Sequence, residues 1–210
     1  MNSVLLDAGE PEPPLPPNRE LRHRTPSQEV RRAFLDAATA LLEEEGLSAL
    51  TIRAVATRAG AAPQSLYNRF GDKQGLLTAI AEEHFSDLAR AMGEITEPDP
   101  RERLRLAGTI VHDLLTAHPR SYDLMWAVPP GPATRDAFAH LVRMVEYGQA
   151  AGAFIPGQAA SLASAIWASI NGAITVEVRQ ARAQTGSGEG VSVIDFQLVL
   201  DIILCGVCTG

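Results

Sequence analysis

From Val30 to Val207 apolar side chains return every three or four residues in one segment after another, a spacing that commits the chain to helices. The first run is Val30, Ala33, Phe34, Ala37, Leu41 and Leu42, and Gly46 closes it as a C′ glycine. Thr25-Pro26-Ser27-Gln28 ahead of it supplies an N-cap, a proline at the first helical position and a Gln three residues after the cap. No alternating, β-branched pattern bounded by turn residues occurs, and no internal repeat is visible. The expected fold is all-α, with about nine helices in total.

Two of these helices are very short. Thr51 can cap one whose apolar face is Ile52, Val55, Ala56 and Ala59, ended by Gly60. The other runs from about Ala62 to Phe70, with Pro63 near its start and Leu66 and Phe70 one turn apart. Gly71-Asp72 breaks and recaps the chain, and Leu76, Leu77, Ile80, Phe85 and Leu88 mark a helix to about Met92. Asp99-Pro100-Arg101-Glu102 then opens a helix that reaches His118, where Pro119 interrupts it. A short helix around Tyr122 to Val128, a Pro129-Pro130-Gly131-Pro132 break and a helix from Ala133 to about Ala151 follow. After the turn at Ile155-Pro156-Gly157 come a long Ala- and Ser-rich helix over residues 158–184, a loop over 185–190 and an apolar helix over 192–207.

Charge divides the chain into unlike parts. The formal net charge of -7 argues against nucleic acid as a partner when taken as a whole. Residues 19–75, however, carry nine basic and seven acidic side chains, whereas residues 1–18 hold Asp7, Glu10 and Glu12 and no Lys or Arg. The organisation expected is a disordered Pro-rich tail with a basic arm (Arg19, Arg22, Arg24) over 1–24, a helix-turn-helix domain over 25–72, and a larger helical domain over 73–210. There is no secretory signal pattern and no run of 18 apolar residues, so a cytoplasmic protein with no membrane partner is expected.

Two short helices joined by a tight glycine-bearing turn, set between longer helices, have the sequence form of a helix-turn-helix. The first braces the second so that the N-terminal residues of the second enter a major groove. Gln64, Ser65 and Asn68 can hydrogen-bond base edges or phosphates, Tyr67 and Arg69 can reach the backbone, and Lys73 at the next helix start adds a phosphate contact.

At these residues the chain resembles the tetracycline-repressor (TetR) family of bacterial regulators. The resemblance runs from Val30 to Leu77 through Ala37-Ala38, Glu45-Gly46, Leu50-Thr51-Ile52-Arg53, Val55-Ala56, Ala59-Gly60, Ser65-Leu66-Tyr67 and Phe70 followed by Lys73. It implies that Thr51 and Arg53 anchor phosphate, that Pro63, Gln64 and Ser65 face the groove, that Tyr67, Arg69 and Lys73 clamp the backbone, and that Leu66 and Phe70 are core. Ala62 departs from the family's common Ser or Thr cap, and Arg69 from its frequent His.

The C-terminal part resembles members with His118-Pro119, Tyr122-Asp123-Leu124-Met125, and Trp167 with Asn171-Gly172. That implies a regulatory domain enclosing a pocket for a small-molecule effector, with His112, Trp126, Phe138, Met144, Trp167 and Asn171 as candidate lining, and a homodimer formed by the last two helices. The residues agree: Ala160, Ser164, Ala168 and Gly172 form a small-residue stripe, and Val193, Phe196, Leu200 and Ile203 are expected as an apolar ridge beside it. Together these readings describe a repressor that binds a palindromic operator on double-stranded DNA and is released by its effector. An orphan regulator or activator without effector, a helical enzyme domain with a helix-turn-helix appendage, and a protein-binding module remain as alternatives. No catalytic constellation, cofactor or metal site is expected: Cys205-Gly206-Val207-Cys208 supplies half a tetrahedral site, with no second Cys pair.

Overall fold

The computed structural model describes residues 27–184 and 194–209. The Pro-rich tail, the basic arm, the Thr25 cap, the 185–190 loop and Val193 lie outside them. The described residues form nine helices: α1 (Ser27–Glu45), α2 (Ile52–Arg58), α3 (Pro63–Phe70), α4 (Lys73–Gly93), α5 (Pro100–Ala117), α6 (Pro119–Ala127), α7 (Pro132–Ala150), α8 (Ala159–Gln184) and α9 (Phe196–Val207). No strand occurs among them, apart from one isolated bridge between Phe154 and Cys208, and the all-α expectation holds.

Side-chain caps set several of the helix starts. Thr51 Oγ1 accepts the Ala54 amide at 3.1 Å, Asp72 the Gly75 amide at 2.8 Å, and Asp99 the amides of Arg101 and Glu102 at 2.8 and 3.0 Å. Pro119 does more than interrupt: it occupies the first position of α6, and His118 is at once the C-cap of α5 and the N-cap of α6.

Two apolar clusters hold the molecule. The N-terminal one gathers Phe34, Leu35, Leu41, Leu42, Leu50, Val55, Ala56 and Leu66, and it takes in Leu76, Leu77 and Ile80 from the first turns of α4 and Leu124 from α6. The larger one begins on the same α4, with Ala81, Phe85, Leu88 and Met92, and spreads through α5 to α9. Helix α4 is thus shared by both cores, and α7 packs along it. Glycine permits a close approach in the second cluster: a Cβ at Gly148 would overlap the Phe154 ring.

The last helix departs from expectation. Phe196 and Leu200 are buried and Ile203 is half-buried, all three packed into the core. Phe196 stacks on His112 at 4.2 Å and Leu200 sits over Gly108. The ridge expected for a partner is therefore the inward face, because α5 offers a glycine seat and a flat ring that only the Phe196–Leu200 side of α9 fills. The exposed apolar side chains of α9 are Leu198 (55 %) and Ile202 (63 %). On α8, Ala160, Ser164, Ala168 and Gly172 are all exposed. Length and composition alone would let α8 cross a membrane, but its Ile166, Ile170, Ile174 and Val178 are packed in the larger core.

Candidate nucleic-acid interface and regulatory domain

The turn between α2 and α3 is closed by backbone bonds from Gly60 N to Thr57 O at 3.1 Å and from Ala61 N to Ala56 O at 2.9 Å, with Gly60 at φ +64°. A left-handed residue here needs no Cβ, so glycine keeps the two helices at a tight angle. Helix α3 buries Leu66 completely and half-buries Phe70, whose ring meets Phe34 edge-on at 6.1 Å. With that face fixed in the core, Pro63, Gln64, Tyr67 and Asn68 are exposed together on the other.

Not every candidate on α3 points outward. Gln64 Nε2 donates to Asn68 Oδ1 at 3.1 Å, so this pair is braced on the open face. Ser65 and Arg69 are half-buried, and the Arg69 guanidinium donates to Ser65 Oγ at 2.7 Å and to Ser65 O at 3.1 Å. Ala62, the N-cap, contributes no side-chain bond.

The cations of this domain sort into two groups. Arg31 and Arg32 pair with Glu83, and Arg58 pairs with Glu44 at 2.5 Å, whose carboxyl is held below its ordinary range by that hydrogen bond. Arg53, Arg69 and Lys73 have no carboxylate partner: Arg53 is exposed without a side-chain bond, Arg69 holds Ser65, and Lys73 Nζ donates to the Leu47 carbonyl at 3.3 Å. Three positive charges are thus left without a carboxylate between residues 27 and 75, one each on α2, α3 and the first turn of α4. Thr51, also exposed, stands at the start of the bracing helix. Exposed polar side chains and unpaired cations are the groups that base edges and phosphates require of a partner.

In the larger domain the six candidate pocket residues do not line one cavity. Trp126, Trp167 and Asn171 come together between α6 and α8: the indoles lie 6.5 Å apart and Asn171 Nδ2 donates to the Trp167 carbonyl at 2.8 Å. His112 instead bonds Glu177 at 2.8 Å under Phe196, while Met144 is buried and Phe138 half-buried against the core on α7. Helix α7 has to cover α4 and α8 at once, which commits its apolar stripe to packing.

Several cavities border α6, and two of them are lined by side chains of the larger core, Tyr122 among them. One of about 390 Å³ lies among α1, α4, α5 and α6, lined by Glu43, His84, His118, Ser121 and Met125 among others. The other, of about 330 Å³, lies between α6 and α8 and is lined by Tyr122, Trp126, Thr175 and Val178 among others. Glu43 and His84 gave no signal in the sequence: one sits in a Glu43-Glu44-Glu45 run and the other is a lone His. Cys205 and Cys208 are free thiols, and burial pushes the Cys208 thiol up from its ordinary value. Among the described residues no three His, Cys, Asp or Glu side chains gather as a metal site.

Residues 34–80 match the family described as bacterial regulatory proteins, tetR family. The HTH-type transcriptional regulator BetI of Burkholderia ambifaria (strain MC40-6) is 38% identical over 82 residues, covering 37% of this chain and 42% of that protein. The chain thus spans less than half the length of this curated relative. A solved structure from Rhodococcus sp. RHA1, of a protein with unknown function, superimposes with a TM-score of 0.71 at 26% identity, over 91% of this chain and 100% of that one. A single-substitution variant of TetR from Acinetobacter baumannii AYE, solved in complex with minocycline, shares the fold with a TM-score of 0.63 at 23% identity, over 84% of this chain and 94% of that one.

Proposed function

The chain belongs to the tetR family of bacterial regulatory proteins through its N-terminal domain, and on that premise we propose that it is a homodimeric, effector-controlled transcriptional repressor working in the cytoplasm. The observation that carries the reading is the pairing pattern of the cations: between residues 27 and 75, Arg53, Arg69 and Lys73 alone escape carboxylates, in the same small domain whose α3 leaves Gln64, Tyr67 and Asn68 exposed. Gln64 and Asn68, with Pro63 at the helix start and Ser65 behind them, meet the bases, while Thr51, Arg53, Tyr67, Arg69 and Lys73 hold the phosphates. Three cations per subunit give weak binding to arbitrary DNA, so useful affinity comes from two subunits on a palindromic operator.

The exposed small-residue stripe of α8 and the Leu198 and Ile202 pair of α9 form the dimer face in this reading. An effector entering beside α6 shifts the population of dimers whose α3 helices are correctly spaced, a coupling of order 1–3 kcal/mol. The likeness of the fold to a TetR protein solved with minocycline supports a small-molecule effector.

The test is operator selection followed by binding with the variants Tyr67→Ala and Lys73→Ala. Both should weaken binding by about tenfold or more per dimer, and Lys73→Ala should also flatten the salt dependence. Binding unchanged in both would overturn the assignment. An operator that no candidate compound releases would instead favour a regulator without effector.

A further inference from the structure

We propose that the cavity between α6 and α8 binds a small aromatic carboxylate, with its ring against Trp126 and its single negative charge on Arg179. The proposal rests on the effector reading above for its regulatory consequence, and on local structure for the site.

Although the whole chain carries a net charge of -7, the charge left free at this cavity is positive. Two charged side chains line its volume of about 330 Å³, Asp123 and Arg179. Asp123 is already neutralised, because Arg182 donates to its carboxylate at 2.6 Å while also holding the Pro119 carbonyl at 2.6 Å. Glu177, the one carboxylate of α8, is taken by His112 of α5 at 2.8 Å. Arg179 is exposed and has neither a hydrogen bond nor an ion pair among the described residues. A neighbouring cavity shares Asp123 and Ala127 with this one and adds the guanidinium of Arg120, which is held by the α1 carbonyls. Three arginines against one carboxylate favour an anion and repel a cation, and the planar fork of an arginine matches a carboxylate through two parallel bonds.

The remaining lining is apolar or already satisfied. Tyr122, Trp126, Ala127 and Val178 supply ring and methyl surface. The hydroxyls of Tyr122 and Thr175 lie 2.7 Å apart and reach the Asn171 backbone carbonyl at 3.1 and 2.7 Å, so both are committed within the protein. Trp126 meets Tyr122 edge-on at 6.1 Å and Trp167 at a tilt at 6.5 Å, yet it is 50 % exposed. An indole held by two rings and still half open to solvent offers a fixed apolar face that an incoming ring covers. The volume stands at the lower end of the range for small-molecule sites, which suits an occupant of about one or two rings.

A matched pair of probes isolates the charge: 2-naphthoate and 2-naphthamide share their rings and nearly their shape. Calorimetry on the full chain at about pH 7.5, where the carboxyl is ionised, should show naphthoate binding about fivefold more tightly, the worth of one partly exposed ion pair. That preference should shrink as salt is added. The Trp126 indole N–H resonance, assigned by its loss in Trp126→Phe, should shift with both probes. Arg179→Gln removes the charge from an exposed position and should bring the two affinities to near equality, whereas Trp126→Ala should weaken both. Equal affinities in the wild-type protein, binding by neither probe, an unmoved Trp126 resonance, or a preference that survives Arg179→Gln would each overturn the site; the wild-type comparison decides even where a variant fails to fold. Operator release is read separately. Naphthoate bound in the expected pattern without any release would uphold the site and remove the effector reading. Release by another compound, with the naphthoate pair bound equally, would do the reverse.

Discussion

The carboxylate of Glu43, in the last turn of α1, accepts both the backbone amide and the hydroxyl of Ser121 at 2.7 Å, across the boundary between the two cores. Helix α6 has no side-chain cap of its own, so its N-terminal amides are satisfied by a residue 78 positions earlier. The arrangement is reciprocal. Arg120, next to Ser121, sends its guanidinium back to the carbonyls of Leu42 and Glu43 at 3.3 and 3.0 Å, capping the C-terminus of α1. Neither helix end can shift without stripping the other of its partners.

Removing that carboxylate should therefore do two things. Glu43→Ala should lower stability by about 1–2 kcal/mol, as the loss of a cap does, measured by urea unfolding. It should also weaken the effect of an effector on operator affinity more than it weakens operator binding itself, since the severed contact joins α6 to α1. Glu43→Gln, which keeps an acceptor oxygen, should retain most of both.

A single methyl group should disable the reading head. A Cβ at Gly75 would overlap the Phe70 carbonyl oxygen, and backbone cannot yield as a side-chain end can. Gly75→Ala should cost about 1–3 kcal/mol, push α3 away from α4 and abolish specific binding while circular dichroism still reports a helical protein. Operator affinity close to wild type would mean that the α3–α4 junction tolerates more displacement than its geometry suggests.

Assembly is tested on the outer face of α9. Ile202→Arg or Leu198→Arg places a charge on the most exposed apolar side chains of that helix and should turn the dimer into a monomer in sedimentation experiments. Phe196→Ala, by contrast, should unfold or soften the larger domain, because Phe196 is packed inward on His112.

Acid should weaken the protein through His84. Its pKa lies below the ordinary 6.5, first because it is buried and then because His118 faces it; Asp87, Glu43 and Glu83 oppose the shift. The two rings are 5.6 Å apart and His84 Nε2 is buried without a partner. A histidine whose folded pKa is depressed contributes fully above the unfolded value and loses that contribution as pH falls through it, because the unfolded chain gains a proton that the folded chain refuses. Urea midpoints should thus fall from about pH 7.5 to about pH 5.5, and His84→Leu should flatten part of the fall.

Periodicity and punctuation made the helices legible. Thr51, Asp72 and Asp99 cap in the structure as their positions suggested, and Gly60 turns where expected. The open face of α3 was legible for the same reason: Leu66 and Phe70 fix the buried side, and the remaining positions follow from the helical period of about 3.6 residues per turn. Two things were not. A periodic stripe states that a helix has an inner face but not which neighbour fills it, so Phe196, Leu200 and Ile203 on α9 were assigned to a partner when they pack into this chain's own core. Contacts distant in sequence, such as Glu43 with Ser121, leave no local trace, and the same blindness scattered the six expected pocket residues over separate sites.

Helix α4 takes part in both apolar clusters, and that fixes a scale for signalling. Its 21 residues span about 30 Å at about 1.5 Å per residue. Turning such a rod by about 4° about its distal end moves the other end by about 2 Å, comparable to half the distance between successive base pairs. A sub-ångström adjustment around Phe85 or Met92 that turned α4 as a rod would thereby be magnified at α3. The protein is in that sense a gear, and its sensitivity is set by the length of one helix.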